Sequence, residues 1–142
     1  NVLPHCDELQ DNGYTREEMK LVWETQKILN DDKILVNPTA VRVPVFFGHS
    51  AAVHVETARK IPLKKVFDLL SKAPGIKLMT GKHSFPTPVH DAAGQDEIFV
   101  GRVREDISHK NGIDMWVVTD NIRKGAALNA IQIAEELIKN YF

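Results

Sequence analysis

A single cysteine, Cys6, stands in the 142 residues. One thiol cannot close an internal disulfide or build a thiolate metal site, which excludes a disulfide-stapled scaffold and leads us to expect an intracellular, cytoplasmic setting. No stretch is basic enough to follow a phosphate backbone, because 18 Lys and Arg are set against 19 Asp and Glu for a net charge of −1. Nucleic-acid binding driven by charge therefore has no support. No apolar run is long enough to span a bilayer and no segment reads as a signal peptide, so no membrane partner is expected. Internal repeats and low-complexity segments are absent. So is the glycine-rich strand-to-helix turn that cradles a dinucleotide or triphosphate; if the chain uses a nucleotide, its main binding domain lies elsewhere. The six histidines, His5, His49, His54, His83, His90 and His109, show no metal-ligand spacing such as two on one helical face, and no metal is expected.

What is present suits one ordinary folded domain: 43% hydrophobic and 26% charged residues can form a sizeable core. The first residue is Asn1 rather than methionine, and a piece of a longer polypeptide is the expectation. Thr15 followed by Glu18 is a capping-box pattern, and Met19, Val22, Trp23 and Leu29 continue it as a helical stripe that Asn30-Asp31-Asp32 closes. Over Ile34 to Phe47 the period changes: Val41, Val43 and Val45 alternate with Arg42, Pro44 and Phe46, which predicts a strand, at an edge or bulged where Pro44 cannot donate. Gly48 permits a bend, and a second strand is predicted over Ala52 to Ala58.

Pro62 opens a short helix with Leu63, Val66, Phe67 and Leu70 on one side, stopped by Pro74-Gly75. Gly81 to Gly94 reads as a long loop of the functional or interface-forming kind. Glu97 to Arg104 and Gly112 to Thr119 read as a hairpin, the second strand central because Met115 to Val118 is apolar on both faces. A last helix is predicted over Asn121 to Tyr141 with Asp120 as its cap. Together these predict an α+β domain with a mainly antiparallel or mixed sheet and helices on one face.

The chemistry-bearing residues are few. Arg42 can hold a carboxylate through two parallel hydrogen bonds, and His49 can give and take a proton near neutrality; equally, Arg42 is the wet side of an amphipathic strand and His49 a turn residue. Seven residues apart on a straight strand they point to opposite faces, so they converge only if the chain bends near Phe47-Gly48. Glu24 and Lys27, three apart beside Trp23, either receive an amine and an anion or form a solvated surface pair. Cys6 lacks an activating neighbour and reads as structural. Trp23 and Trp116 read as core aromatics.

Taken together, several segments resemble the bacterial-type aspartate-semialdehyde dehydrogenase family. They are Asn1-Val2-Leu3-Pro4-His5, Glu17-Glu18-Met19-Lys20 through Trp23-Glu24-Thr25-Gln26-Lys27-Ile28-Leu29, Pro38-Thr39-Ala40-Val41-Arg42-Val43-Pro44-Val45, Gly48-His49-Ser50, Asp96-Glu97-Ile98-Phe99-Val100-Gly101-Arg102, and Asp120-Asn121-Ile122-Arg123-Lys124-Gly125-Ala126-Ala127. The resemblance runs nearly end to end and is to the family's C-terminal part. It implies a fold similar to the C-terminal domain of glyceraldehyde-3-phosphate dehydrogenase-like enzymes. Residues 1–119 would be the substrate-binding and dimerisation domain, and 120–142 a helix that packs back on an NADP-binding domain.

The family reduces L-4-aspartyl phosphate to aspartate semialdehyde with NADPH, releasing phosphate, on the route to lysine, threonine and methionine. The resemblance implies that Arg42 grips the substrate α-carboxylate, His49 is the acid/base partner of a cysteine thiolate, Glu24 meets the substrate amino group, Lys27 the phosphate, and Asn121 the nicotinamide. Asn121 at a helix start serves equally as a cap. The chain departs from the family in carrying Ala40 where many members have a cysteine, which implies a packing difference only. It also lacks the nucleophilic cysteine motif and the glycine-rich nucleotide domain, and Cys6 is not in the nucleophile's context. The expectation is a homodimerising portion, inactive alone. The alternatives are a non-catalytic dimerisation module of the same fold, or a reductase for a related acyl phosphate.

Overall fold

A computed structural model describes all residues from Asn1 to Phe142, in two compact units, Asn1–Pro44 and Val45–Phe142. The expected division between residues 119 and 120 falls inside the second unit.

In the first unit, helix α1 (Arg16–Leu29) starts on the predicted capping box. Glu18 N–H donates to the Thr15 hydroxyl (3.3 Å) while Thr15 N–H donates back to the Glu18 carboxylate (2.7 Å). It ends at Asn30, which takes the left-handed conformation (φ 51°) that lets its N–H reach back to the last carbonyls. The expected stripe is not a core stripe within this unit. Glu18 is the buried residue of α1, and Trp23, expected in a core, is half exposed, because so short a unit has no second layer to cover the helix.

The strand predicted over Ile34 to Phe47 does not form. Only Arg42 makes a bridge, with Leu3 (N–H to O 2.8 and 2.9 Å), and Val41, Val43 and Val45 are exposed. Alternation signals a strand only where a neighbouring strand covers one face, and here Pro38 and Pro44 remove two ladder donors from a segment that has no such neighbour.

In the second unit four strands form a sheet in the order β1-β4-β3-β2: β1 (His49–Glu56), β2 (Ile76–Leu78), β3 (Ile98–Glu105) and β4 (Gly112–Thr119). β4 is central as its two-sided apolar pattern predicts, antiparallel to both β1 and β3, while β2 joins β3 in parallel, so the sheet is mixed. Helix α2 (Leu63–Lys72) occupies the predicted place and packs against β2 and β3. The second strand, predicted over Ala52 to Ala58, begins earlier, at the bend after Gly48 (φ 94°), and β2 carries too few residues for a periodic signal.

The Gly81–Gly94 segment is not a loop without structure. It holds a 3₁₀ turn (Gly81–His83) and a single π-helical turn (Pro88–Ala92), and it supplies core: Pro86 and Ala92 are buried, and Ala92 clusters with Phe99 and Val118. Trp116 packs beside this cluster as a partly buried aromatic and donates from its indole N–H to the Pro86 carbonyl (2.9 Å). β3 carries a bulge between Gly101 and Arg104, with Arg102 left-handed (φ 51°) and its N–H on the Ser84 carbonyl (2.7 Å). The last helix begins with a π-helical turn (Arg123–Ala127) and continues as α3 (Leu128–Tyr141), with Ile131, Ile133, Leu137, Ile138 and Tyr141 exposed.

Candidate functional site

Three of the candidate side chains lie in the first unit. Glu24 and Lys27 are exposed on consecutive turns of α1, and neither takes part in an ion pair, with each other or with anything else. A carboxylate and an ammonium thus stand one turn apart on the exposed side of the helix, with no ion pair between them. Arg42 is exposed and likewise unpaired, its backbone fixed by the Leu3 bridge. The segment before it is held by three side chains, two on α1 and one just ahead of its cap. Tyr14 O–H donates to Asn37 Oδ1 (2.9 Å), Gln26 Nε2 to the Ile34 carbonyl (2.9 Å), and Ala40 N–H to Glu18 Oε1 (2.7 Å). Arg42 thus reaches solvent from a fixed backbone, and offers a guanidinium fork suited to a carboxylate.

The other two candidates lie in the second unit. His49 opens β1, exposed, opposite Thr119 of β4. The bend that precedes it is over-determined. Gly48 is left-handed, a Cβ there would meet the Pro88 side chain at 2.8 Å, and its N–H donates to Asn121 Oδ1 (2.7 Å). Asn121 therefore spends its oxygen on positioning the residue before His49, and its Nδ2 retains two donors. The helix cap is Asp120 instead: Oδ1 accepts from the Ile122 and Arg123 N–H groups (2.8 and 3.0 Å) and Oδ2 from Gly94 N–H (2.8 Å). These bonds, that from Gly94 first, hold the buried Asp120 carboxyl below the usual carboxylate range.

One charged cluster was not singled out by the sequence. At the other end of β1 from His49, His54 Nδ1 lies 2.9 Å from Asp114 and Nε2 lies 3.3 Å from Glu56 and 3.8 Å from Asp106. Asp114 also meets Arg104 (3.5 Å), and His109 faces Glu56 (3.9 Å). Hydrogen bonds to Asp114 and then Glu56 raise the His54 pKa above its ordinary 6.5. The folded protein holds this proton more tightly than the unfolded chain. Its stabilisation is therefore complete below pH 6.5 and is lost as pH rises through the higher folded-state value. His54→Asn should flatten the stability profile above pH 6.5, and proton NMR titration of the wild type should place the His54 midpoint above 6.5. With the imidazole nearly half exposed the effect is modest and weakens with salt.

Comparison with known proteins decides the family. The profile of "Semialdehyde dehydrogenase, dimerisation domain" matches residues 1–124. The chain belongs to that family. It is 60% identical over its whole length to the aspartate-semialdehyde dehydrogenase of Shewanella violacea and 61% identical to aspartate-semialdehyde dehydrogenase 2 of Vibrio cholerae, in each case covering 42% of the relative. Among solved structures it is similar to aspartate semialdehyde dehydrogenase II of Vibrio cholerae complexed with ASA, with a TM-score of 0.96 at 60% identity, covering 100% of this chain and 42% of that one. A probable aspartate-semialdehyde dehydrogenase of Pseudomonas aeruginosa follows at TM-score 0.91 and 38% identity, with the same coverage. The chain thus spans well under half the length of the relatives it matches. The α+β fold with a mixed sheet is the fold of this dimerisation domain, and no helix is long and apolar enough to cross a membrane.

Proposed function

We propose that this chain is the substrate-binding and dimerisation portion of a cytoplasmic, NADP-dependent aspartate-semialdehyde dehydrogenase, which converts L-4-aspartyl phosphate to aspartate semialdehyde and phosphate. The observation that carries the reading is the combination of whole-chain identity near 60% with three unpaired, exposed charges, Glu24, Lys27 and Arg42, whose signs complement the amine, phosphate and carboxylate of that substrate. His49 supplies the proton-transferring group next to a thiolate contributed elsewhere in the full polypeptide, taking a proton as the thiolate forms and returning it as the thiol is regenerated.

NADPH, when bound, supplies the hydride. Asn121 fits the nicotinamide end: with its oxygen held by Gly48, its amide N–H groups are free for a carboxamide oxygen. The phosphates of the cofactor have no glycine-rich cradle in this sequence and belong to another domain. Residues 1–119 are then the substrate and dimer-forming part. The exposed apolar side chains of α3, in 120–142, are the surface that packs on the nucleotide domain. The partner in solution is a second copy of the enzyme, as the family's description as a dimerisation domain supports.

The test is kinetic. The full-length enzyme carrying this segment should reduce NADP when given aspartate semialdehyde and phosphate, and this chain alone should not. In the full-length enzyme Glu24→Gln, which removes the charge and keeps the shape, should lower kcat/KM by roughly 10-fold to 100-fold, the size of one lost charge-assisted hydrogen bond. Unchanged kinetics would remove Glu24 from the substrate site, and turnover by the isolated chain would overturn the assignment as a portion.

A further inference from the structure

Arg42 can select a carboxylate only if its guanidinium stands in a fixed place relative to Glu24 and Lys27, and these come from different kinds of backbone. Glu24 and Lys27 ride on α1, whereas Arg42 follows an irregular segment with no ladder beyond its one bridge to Leu3. Of the side chains that tie this segment back toward α1, Glu18 makes the bond nearest to Arg42 in the chain. Its Oε2 accepts from Thr15 N–H and from the Thr15 hydroxyl (2.7 and 3.1 Å), which ties it to the start of α1, and its Oε1 accepts from Ala40 N–H (2.7 Å), two residues before Arg42. Glu18 is only 8% exposed, a depth at which carboxylates are rare unless fully bonded. A capping box needs only the Thr15 contacts, so the bond to Ala40 goes beyond what helix initiation requires.

We propose that Glu18 is a positioning residue for substrate recognition, setting Arg42 against the amine- and phosphate-binding groups of α1. This rests on the reading of Arg42 as the carboxylate ligand. The carboxylate is suited to the task because its bonds from Thr15 and then Ala40 keep its pKa below the usual range, so it stays ionised at neutral pH. Glutamine in its place keeps an acceptor for one partner but turns an N–H group toward the other, so one bond of the link is lost. A displacement of Arg42 by about 1 Å is enough to cost up to about 100-fold in kcat/KM, through a weakened grip on the carboxylate.

The full-length enzyme provides the test, assayed on aspartate semialdehyde and on 3-aminopropanal, the same aldehyde without its carboxylate. Glu18→Gln should lower the preference for aspartate semialdehyde over 3-aminopropanal at least about 10-fold, chiefly through KM, and leave the KM for phosphate within about 2-fold. Ala40→Pro, which removes the N–H from the other end of the same bond, should do likewise if Glu18→Gln proves insoluble. Thr15→Val, which disturbs the cap but keeps the Ala40 bond, should lower the unfolding temperature and leave the preference unchanged. A structural defect alone would slow both substrates equally, and equal slowing by Glu18→Gln or Ala40→Pro overturns the proposal. Arg42→Leu separates the two levels. If it does not abolish the preference, the carboxylate-ligand reading falls; if it does while Glu18→Gln has no effect, only the positioning role falls.

Discussion

His49→Asn in the full-length enzyme should lower kcat by about 10²-fold to 10⁴-fold, the range over which a positioned general acid/base contributes. Asparagine matches part of the imidazole's size and hydrogen bonding but neither accepts nor releases a proton near neutrality. The fold has little reason to respond. His49 is exposed at the start of β1, and the bend before it is fixed by Gly48, Pro88 and Asn121 rather than by the imidazole. The KM for aspartate semialdehyde should change little, because Arg42 and Glu24 are assigned to the ends of that molecule. The loss therefore falls on kcat and on kcat/KM alike, the pattern of an interaction made only in the transition state. Stopped-flow and steady-state measurements across pH would read both values, and a wild-type kcat in the variant would remove His49 from proton transfer.

The elements that could be read in advance are those whose stabilising partners are close in sequence. Thr15 and Glu18 announce α1 because each satisfies the other's backbone within one turn, and Met115 to Val118 announces a central strand because both its faces need cover. The failures share a cause. Val41, Val43 and Val45 alternate as a strand does, yet alternation carries no information about whether a neighbour exists, and beyond the single Leu3 bridge none does. β2 is stabilised by a parallel pairing with β3 that lies across the whole Gly81–Gly94 segment. Trp23 is apolar and well spaced, but burial depends on a second layer that the first unit does not provide.

The candidate site divides in the same way. Arg42, His49, Glu24 and Lys27 were visible as residue types, and their roles came from resemblance rather than spacing. What positions them was invisible. The Ala40 to Glu18 bond spans 22 residues and the Gly48 to Asn121 bond spans 73, and a side chain that bonds a distant backbone amide leaves no local pattern.

Gly101→Ala should be among the most destabilising single substitutions in the second unit, by roughly 2–4 kcal/mol, at and beyond the upper end for overpacking a rigid site. Gly101 lies buried in β3, and a Cβ there would overlap the Ser84 carbonyl oxygen and come within 2.5 Å of the Pro86 side chain. Neither partner is free to retreat. The Ser84 carbonyl is held by Arg102 N–H at 2.7 Å, and the adjoining Pro86 is buried with its carbonyl bonded to Trp116. Relief requires lifting the 84–86 segment from the sheet, which would expose Trp116 and loosen the Ala92, Phe99 and Val118 cluster beside it. Gly13→Ala supplies the contrast: open space surrounds that position, so only the left-handed backbone (φ 83°) opposes a side chain, at a cost of about 1–2 kcal/mol. Urea unfolding followed by tryptophan fluorescence should rank Gly101→Ala well below Gly13→Ala in midpoint, with an early change in the Trp116 signal. Equal midpoints would mean that the 84–86 segment yields, and that its bonds to Arg102 and Trp116 do not hold it against the sheet.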